Sequence, residues 1–155
     1  MRDYESAVGN YLRRRLYPLS DGDLDDLVAE TFVVVWRRFD AMPSDAELPW
    51  IIGVARNVLH NAQRSSRRRA IHEGALSPRA NSSSAEDGVV GDARVRHALE
   101  SLRRDEREVL LLHEWDGLSV ADVARIIGVS PDAAAVRLSR VRSRFRAFFD
   151  EWDES

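Results

Sequence analysis

Apolar residues recur along this chain three and four positions apart, and no segment keeps the strict apolar–polar alternation that a half-buried strand needs. The pattern predicts an all-helical protein. A short helix is expected over 4–16, ending near Pro18. Asp21-Gly22 reads as a turn. Asp23 then reads as an N-cap, with acids in the first turn facing the positive end of the helix dipole, and that helix runs to about Phe39. Pro43-Ser44-Asp45 belongs to a loop that ends before Pro49. A third helix is expected from about Trp50 to Arg68, with Ile51, Val54, Ala55, Val58 and Ala62 as its apolar stripe. Arg56, Asn57, His60, Gln63, Arg64 and Arg67 lie off that stripe.

Residues 70–90 interrupt the helical pattern. They hold Gly74, Pro78, the run Asn81-Ser82-Ser83-Ser84 and Asp87-Gly88, with too little apolar surface to offset the entropy of ordering them. They read as a flexible linker between two small helical domains, 1–69 and 91–152. The second domain reads as four helices, at about 91–101, 103–115, 119–127 and 131–149. Gly128 suits the left-handed residue that closes the third of these. Ser130-Pro131 supplies an N-cap and first helical position for the fourth.

Within that second domain, residues 117–142 carry the pattern of a helix-turn-helix. Val120, Val123, Ala124 and Ile127 form one buried stripe, Gly128 makes the turn, and Val129 plugs it. In the next helix Ala134, Leu138, Val141, Phe145 and Phe148 recur at spacings of four and three, facing inward. Arg137, Arg140 and Arg144 recur on a different face, and the alanines at 133–135 would let the helix start approach a groove closely. A recognition helix places such N-terminal residues on base edges and its dipole near phosphate. The plainer reading is a helical hairpin with a solvated arginine face.

Charge distribution sharpens the picture. The net charge is −3, which argues against a generic nucleic-acid binder. Residues 21–30 carry five acids and no base, residues 56–69 carry five arginines and no acid, and residues 131–147 carry five arginines against Asp132 alone. Two positive segments suggest two DNA contacts, and the negative one a contact of another kind. All 23 basic residues are Arg, so mechanisms that need a lysine are excluded. The chain has no Cys, which removes disulfides, thiolate zinc sites and Cys nucleophiles. Four scattered His lack ligand spacing, so no metal or cofactor is expected and no catalytic set can be placed. No apolar run is long enough to span a bilayer, and the N-terminus lacks a signal-peptide core. A cytoplasmic, non-enzymatic protein is expected.

Three stretches carry a resemblance. Leu118-Ser119, Ala124, Gly128-Val129-Ser130 and Val136-Arg137-Leu138-Ser139-Arg140-Val141-Arg142 resemble the region 4 helix-turn-helix of bacterial extracytoplasmic-function (ECF) sigma factors of the sigma-70 family. Asp26-Leu27-Val28-Ala29-Glu30-Thr31-Phe32 with Trp36 resembles region 2.2, and Trp50-Ile51-Ile52-Gly53-Val54-Ala55-Arg56-Asn57 resembles regions 2.3–2.4. The resemblance covers 4–149 in the family's order. It implies two sigma domains, regions 2 and 4, that bind core RNA polymerase and recognise the −10 and −35 promoter elements to direct transcription initiation.

The resemblance also implies site residues. Asp26, Glu30, Val33, Trp36 and Arg37 would meet the β′ clamp helices. Val33 and Val34 have a plainer reading too, as part of a three-helix core. The −10 element would be read by the loop at 41–48, including Met42 and Ser44, and by Arg56 and Asn57, with Arg64, Arg67 and Arg68 on phosphates. Met42 and Leu48 stand where many members of the family place Phe. The −35 element would meet Ala135, Val136, Arg137, Ser139 and Arg140, with Arg144 and His113 at phosphates. Implied partners are core polymerase (β′ clamp helices and β flap), promoter DNA and an anti-sigma factor. A linker of 21 residues spans at most ~70 Å, about two turns of duplex. Two rival readings stay open on residue patterns alone: a dimeric DNA-binding regulator that does not engage polymerase, and an enzyme.

Overall fold

The computed structural model of the chain describes residues 2–16, 19–74 and 92–154. It forms two compact units that divide at residues 89 and 90, and every regular element among the described residues is helical.

The first unit packs three helices: α1 (Arg2–Arg13), α2 (Leu24–Arg37) and α3 (Glu47–His72). Each pair of these helices is in contact. Val8, Tyr11 and Leu12 of α1 meet Leu27, Thr31 and Val35 of α2 and the buried side of α3, which includes Ile51, Ile52, Ala55 and Leu59. The Thr31 hydroxyl in this core is satisfied, because Oγ1 donates to the Leu27 carbonyl at 2.8 Å. The buried end of α1 is tied down by polar bonds. Gln63 Nε2 donates to the Arg15 carbonyl at 2.7 Å, and the Arg15 guanidinium lies 3.9 Å from the Tyr11 ring centre. At the other end Tyr4 Oη donates to Glu47 Oε2 at 2.6 Å, fastening the start of α1 to the start of α3.

Several helix ends differ from expectation. Asp23 does not cap α2 with its side chain. It is the third residue of a short 3₁₀ turn, Asp21–Asp23, and its Oδ2 accepts from the Ser20 backbone N–H at 2.9 Å. Ser20 is thus the true start of this region. α3 begins at Glu47, so Pro49 lies inside its first turn. That position costs nothing, since the first N–H groups of a helix have no intrahelical acceptor. α1 stops at Arg13, ahead of the expected end at 16. α3 continues past Arg68 to His72, and Gly74 follows with a φ of +72°. Of the linker expected at 70–90, residues 70–72 are therefore helical, while 75–90 lie outside the described residues.

The second unit packs α4 (Ala93–Ser101), α5 (Arg104–Leu110) and α6 (Val120–Ile127) against one long helix, α7 (Pro131–Glu154). Asp92 caps α4 through its Oδ1, which accepts the Arg94 N–H at 2.8 Å. α5 runs directly into a π turn, Leu111–Trp115, in which the Asp116 N–H reaches the Leu111 carbonyl at 2.9 Å. Val109, Leu110, Leu111 and Leu112 are all buried, so this segment is apolar around its whole circumference. α7 runs past the expected end at 149 because its tail has partners on α4. Arg94 Nη1 donates to Asp153 at 2.7 and 2.8 Å, and the Trp152 ring lies 5.3 Å from His97.

Candidate nucleic-acid interface

The helix-turn-helix forms as its residues require. Ser119 Oγ accepts the Asp122 N–H at 3.1 Å and starts α6. Gly128 ends it in the left-handed region, φ 75° and ψ 36°, with its N–H on the Ala124 carbonyl at 2.9 Å. Ser130 Oγ accepts the Ala133 N–H at 3.1 Å, and Pro131 opens α7 where its missing N–H goes unused. Val123 and Ala124 of α6 are buried with Ala134, Leu138 and Val141 of α7, while Val120, Ile127, Val129, Phe145 and Phe148 are half-buried.

The opposite side of α7 is open. Ala135, Val136, Arg137, Ser139 and Arg140 are all exposed, and Val136 keeps 48% of its surface in solvent. A cleft of about 430 Å³ runs between Val120 and the α7 residues Ala135, Ser139, Ser143 and Arg146. Arg146 was not singled out from sequence, although its place seven residues after Ser139 puts it on the same helix side. Arg142 and Arg144 are exposed but engaged, on Glu114 and Glu106 respectively. His113 is half-buried, with Nδ1 2.8 Å from the Leu118 carbonyl. A carbonyl only accepts, so Nδ1 carries the proton and Nε2 is the nitrogen left for any other contact.

In the first unit the basic face follows α3. Asn57, Asn61, Arg64 and Arg68 stand at intervals of four, three and four residues and are exposed. Arg64 Nη2 donates to Asn61 Oδ1 at 3.3 Å. Asn61 is a residue that the sequence reading passed over, though the same spacing would have found it. Arg56 and Arg67 are half-buried at the margin of this face. The preceding loop leaves Ser44 exposed and Met42 half-buried, with Ala46 buried as its anchor. The Arg38 guanidinium lies 5.8 Å from the centre of the half-buried Trp50 ring.

The third surface is the outer face of α2. Asp26, Glu30, Val33 and Arg37 are exposed at intervals of four, three and four residues. Beside them Trp36 is 77% exposed, Phe39 54% and Val33 47%. The core reading of this segment therefore fails at Val33, while Val34 is half-buried. Phe39 extends the row beyond the residues named from sequence, its ring 6.3 Å from that of Trp36. An apolar groove of about 520 Å³ also lies on the second unit, lined by Leu110, Trp115, Phe145 and Phe149 with Glu114 and Arg146 at its edge. Among the described residues no three His, Asp or Glu converge as a metal site needs, and no helix is long and apolar enough to cross a membrane.

The family model for Sigma-70 region 2 matches residues 1–69, and that for Sigma-70, region 4 matches 92–145. The ECF RNA polymerase sigma factor EcfG of Rhodopseudomonas palustris is 30% identical over 125 residues, 79% of this chain and 69% of that protein. The RNA polymerase sigma factor CnrH of Cupriavidus metallidurans is 27% identical over 151 residues, 88% of this chain and 78% of its own length. A solved structure of CnrH in complex with the cytosolic domain of CnrY superposes with a TM-score of 0.65 and 23% identity, over 97% of this chain and 84% of that one. The sigma factor RpoE in complex with the anti-sigma factor NepR, from Bartonella quintana, gives a TM-score of 0.65 and 21% identity, over 95% and 91%. At these identities the two structures bear on the fold.

Proposed function

The chain belongs to the ECF sigma factors of the sigma-70 family, which serve promoter-directed transcription initiation, and from that premise we propose how its surfaces divide the work. The first unit, centred on 1–69, binds core polymerase through the α2 face. Val33, Trp36 and Phe39 give an apolar row that a partner helix can cover, and Asp26, Glu30 and Arg37 supply the charges that fix its register. Exposed aromatics in one row make a poor solvent-facing surface and a good interface centre. This row is the observation that carries the polymerase assignment. We assign the groove at Leu110, Trp115, Phe145 and Phe149 to the β flap, because it offers a second partner helix an apolar seat.

The same unit reads the −10 element. Asn57 offers an amide that both donates and accepts toward a base edge. Met42 and Ser44 border the site for an unstacked base, Arg56 reads the element beside Asn57, and Arg64, Arg67 and Arg68 hold phosphates, adding affinity without sequence information. In the second unit, centred on 91–152, the first turns of α7 enter the major groove at the −35 element. Arg137 and Arg140 donate to base edges or phosphates, and Ala135, Val136 and Ser139 set the close approach. His113 stands at a phosphate with Nε2, the ring nitrogen that the Leu118 carbonyl leaves over.

The chain works in the cytoplasm, with polymerase, and carries out no chemistry of its own. Because two structural neighbours are held by protein partners, we further propose that an anti-sigma factor masks these surfaces. The test is transcription in vitro with core polymerase, followed by mapping of start sites. Discrete start sites that depend on the chain are expected. Stable dimers that bind an operator yet give no initiation would replace this reading with that of a simple DNA-binding regulator.

A further inference from the structure

The five arginines between 137 and 146 are not equivalent. Two are spent inside the second unit. Arg142 Nε donates to Glu114 Oε1 at 2.8 Å, and Arg144 forms an ion pair with Glu106, Nε to Oε2 at 3.1 Å. Residues two apart on a helix point about 200° apart, so these two arginines leave α7 on opposite flanks. Both acceptors belong to the α5 segment, one in its first turn and one in its π turn. α7 is thus gripped on each side by a single neighbour.

The Glu106 end of this clamp is the buried one. Its side chain is only 9% exposed, and it is fully used. Oε1 accepts the Arg103 backbone N–H at 3.0 Å and Arg103 Nε at 3.3 Å, which leaves Oε2 to Arg144. If Arg144 moved to a phosphate, a buried carboxylate oxygen would lose its cation, which is unfavourable in a site where water cannot replace it. Arg137, Arg140 and Arg146 make no ion pair among the described residues.

We propose that Glu106 is a positioning residue for promoter recognition. Through Arg144, and with Glu114 on Arg142, it sets the roll of α7 that aims Arg137, Arg140 and Arg146 at the duplex. Arg144 belongs to the clamp and is not a phosphate contact. The inference rests on the reading of α7 as the −35 recognition helix.

The test uses the full chain, a labelled duplex from upstream of a start site mapped with core polymerase, and a scrambled duplex of equal length, across a range of salt. Arg140→Ala serves as the reference for a phosphate contact, lowering the slope of log K against log salt by ~0.9. Arg144→Gln and Glu106→Gln should each weaken promoter binding about fivefold and reduce its preference over the scrambled duplex, with the salt slope unchanged. The double variant should be no weaker than either single one, because both break the same pair. The amide of Glu106→Gln still accepts the Arg103 N–H, and Arg144 is half in solvent, so both variants should keep wild-type helix content. A slope flattened by Arg144→Gln, or tighter binding by Glu106→Gln, would overturn the inference. A wild-type chain with no preference for the promoter duplex would instead remove the reading of α7, and this inference with it.

Discussion

Trp36→Ala separates an interface residue from a core one more sharply than any other change in the first unit. A Trp side chain buries up to about 250 Å² when covered, so 77% exposure leaves roughly 190 Å² open to a partner. At ~25 cal/mol per Å² that area sets a ceiling of about 5 kcal/mol. Interfaces return less, because association entropy and imperfect desolvation oppose it. A central Trp is typically worth ~2–4 kcal/mol, or roughly 30- to 700-fold in affinity for core polymerase. The folded chain should hardly notice the loss. Only about 60 Å² of the ring is covered internally, worth at most ~1.5 kcal/mol, and the higher helix propensity of Ala offsets about 0.5 kcal/mol of that. The assay is an equilibrium titration of labelled chain against core polymerase, paired with thermal unfolding. Affinity unchanged within about threefold would remove α2 from the interface. A loss of stability above ~3 kcal/mol would show that Trp36 is a core residue after all.

Two further changes test the fold that positions the sites. Gly128→Ala should cost ~1–2 kcal/mol in denaturant unfolding of the second unit, from the left-handed backbone alone, since a Cβ there meets nothing within 4 Å; a cost above ~4 kcal/mol would mean a clash that the geometry does not contain. Tyr4 has a phenol held above its ordinary value, first by its hydrogen bond to Glu47, then by burial and by the charges of Glu47 and Asp3. A raised folded value means that the stabilisation is complete below the unfolded value near 10 and fades as pH climbs through the folded one. Wild-type chain should therefore lose stability faster than Tyr4→Phe above about pH 10, as read by urea unfolding across that range; parallel losses would show that the phenol does not contribute.

Local chemistry made the centres of the elements legible, and long-range contacts hid their ends. Gly128 and Ser130-Pro131 act within four residues of themselves, so the turn of the helix-turn-helix could be read from spacing alone. The tail of α7 could not, because it is held by Arg94 on Asp153 and His97 on Trp152, partners from the other end of the unit. Pro49 misled for a different reason. A proline marks a helix interior as broken, but in the first turn it is neutral, and only the structure shows which case applies. The π turn after Leu110 leaves no mark in the sequence either. Its extra residue is absorbed where the Leu112 carbonyl accepts the Leu118 N–H and His113 meets the Leu118 carbonyl.

The same distinction governs the site. Spacing placed Asp26, Glu30, Val33 and Arg37 on one face of α2, and all four are exposed there. Spacing also placed Arg137, Arg140 and Arg144 on one side of α7, but there it merged cations with different tasks. Arg144 is neutralised by a buried glutamate of α5, while Arg137 and Arg140 make no ion pair among the described residues. A chain of net charge −3 can therefore still present a positive recognition surface, because its acids are segregated. Some are exposed on α2, where a partner can meet them, and two, Glu106 and Glu114, are consumed in orienting α7. The field that DNA would meet depends on which cations lack such partners, rather than on the count of arginines in the helix.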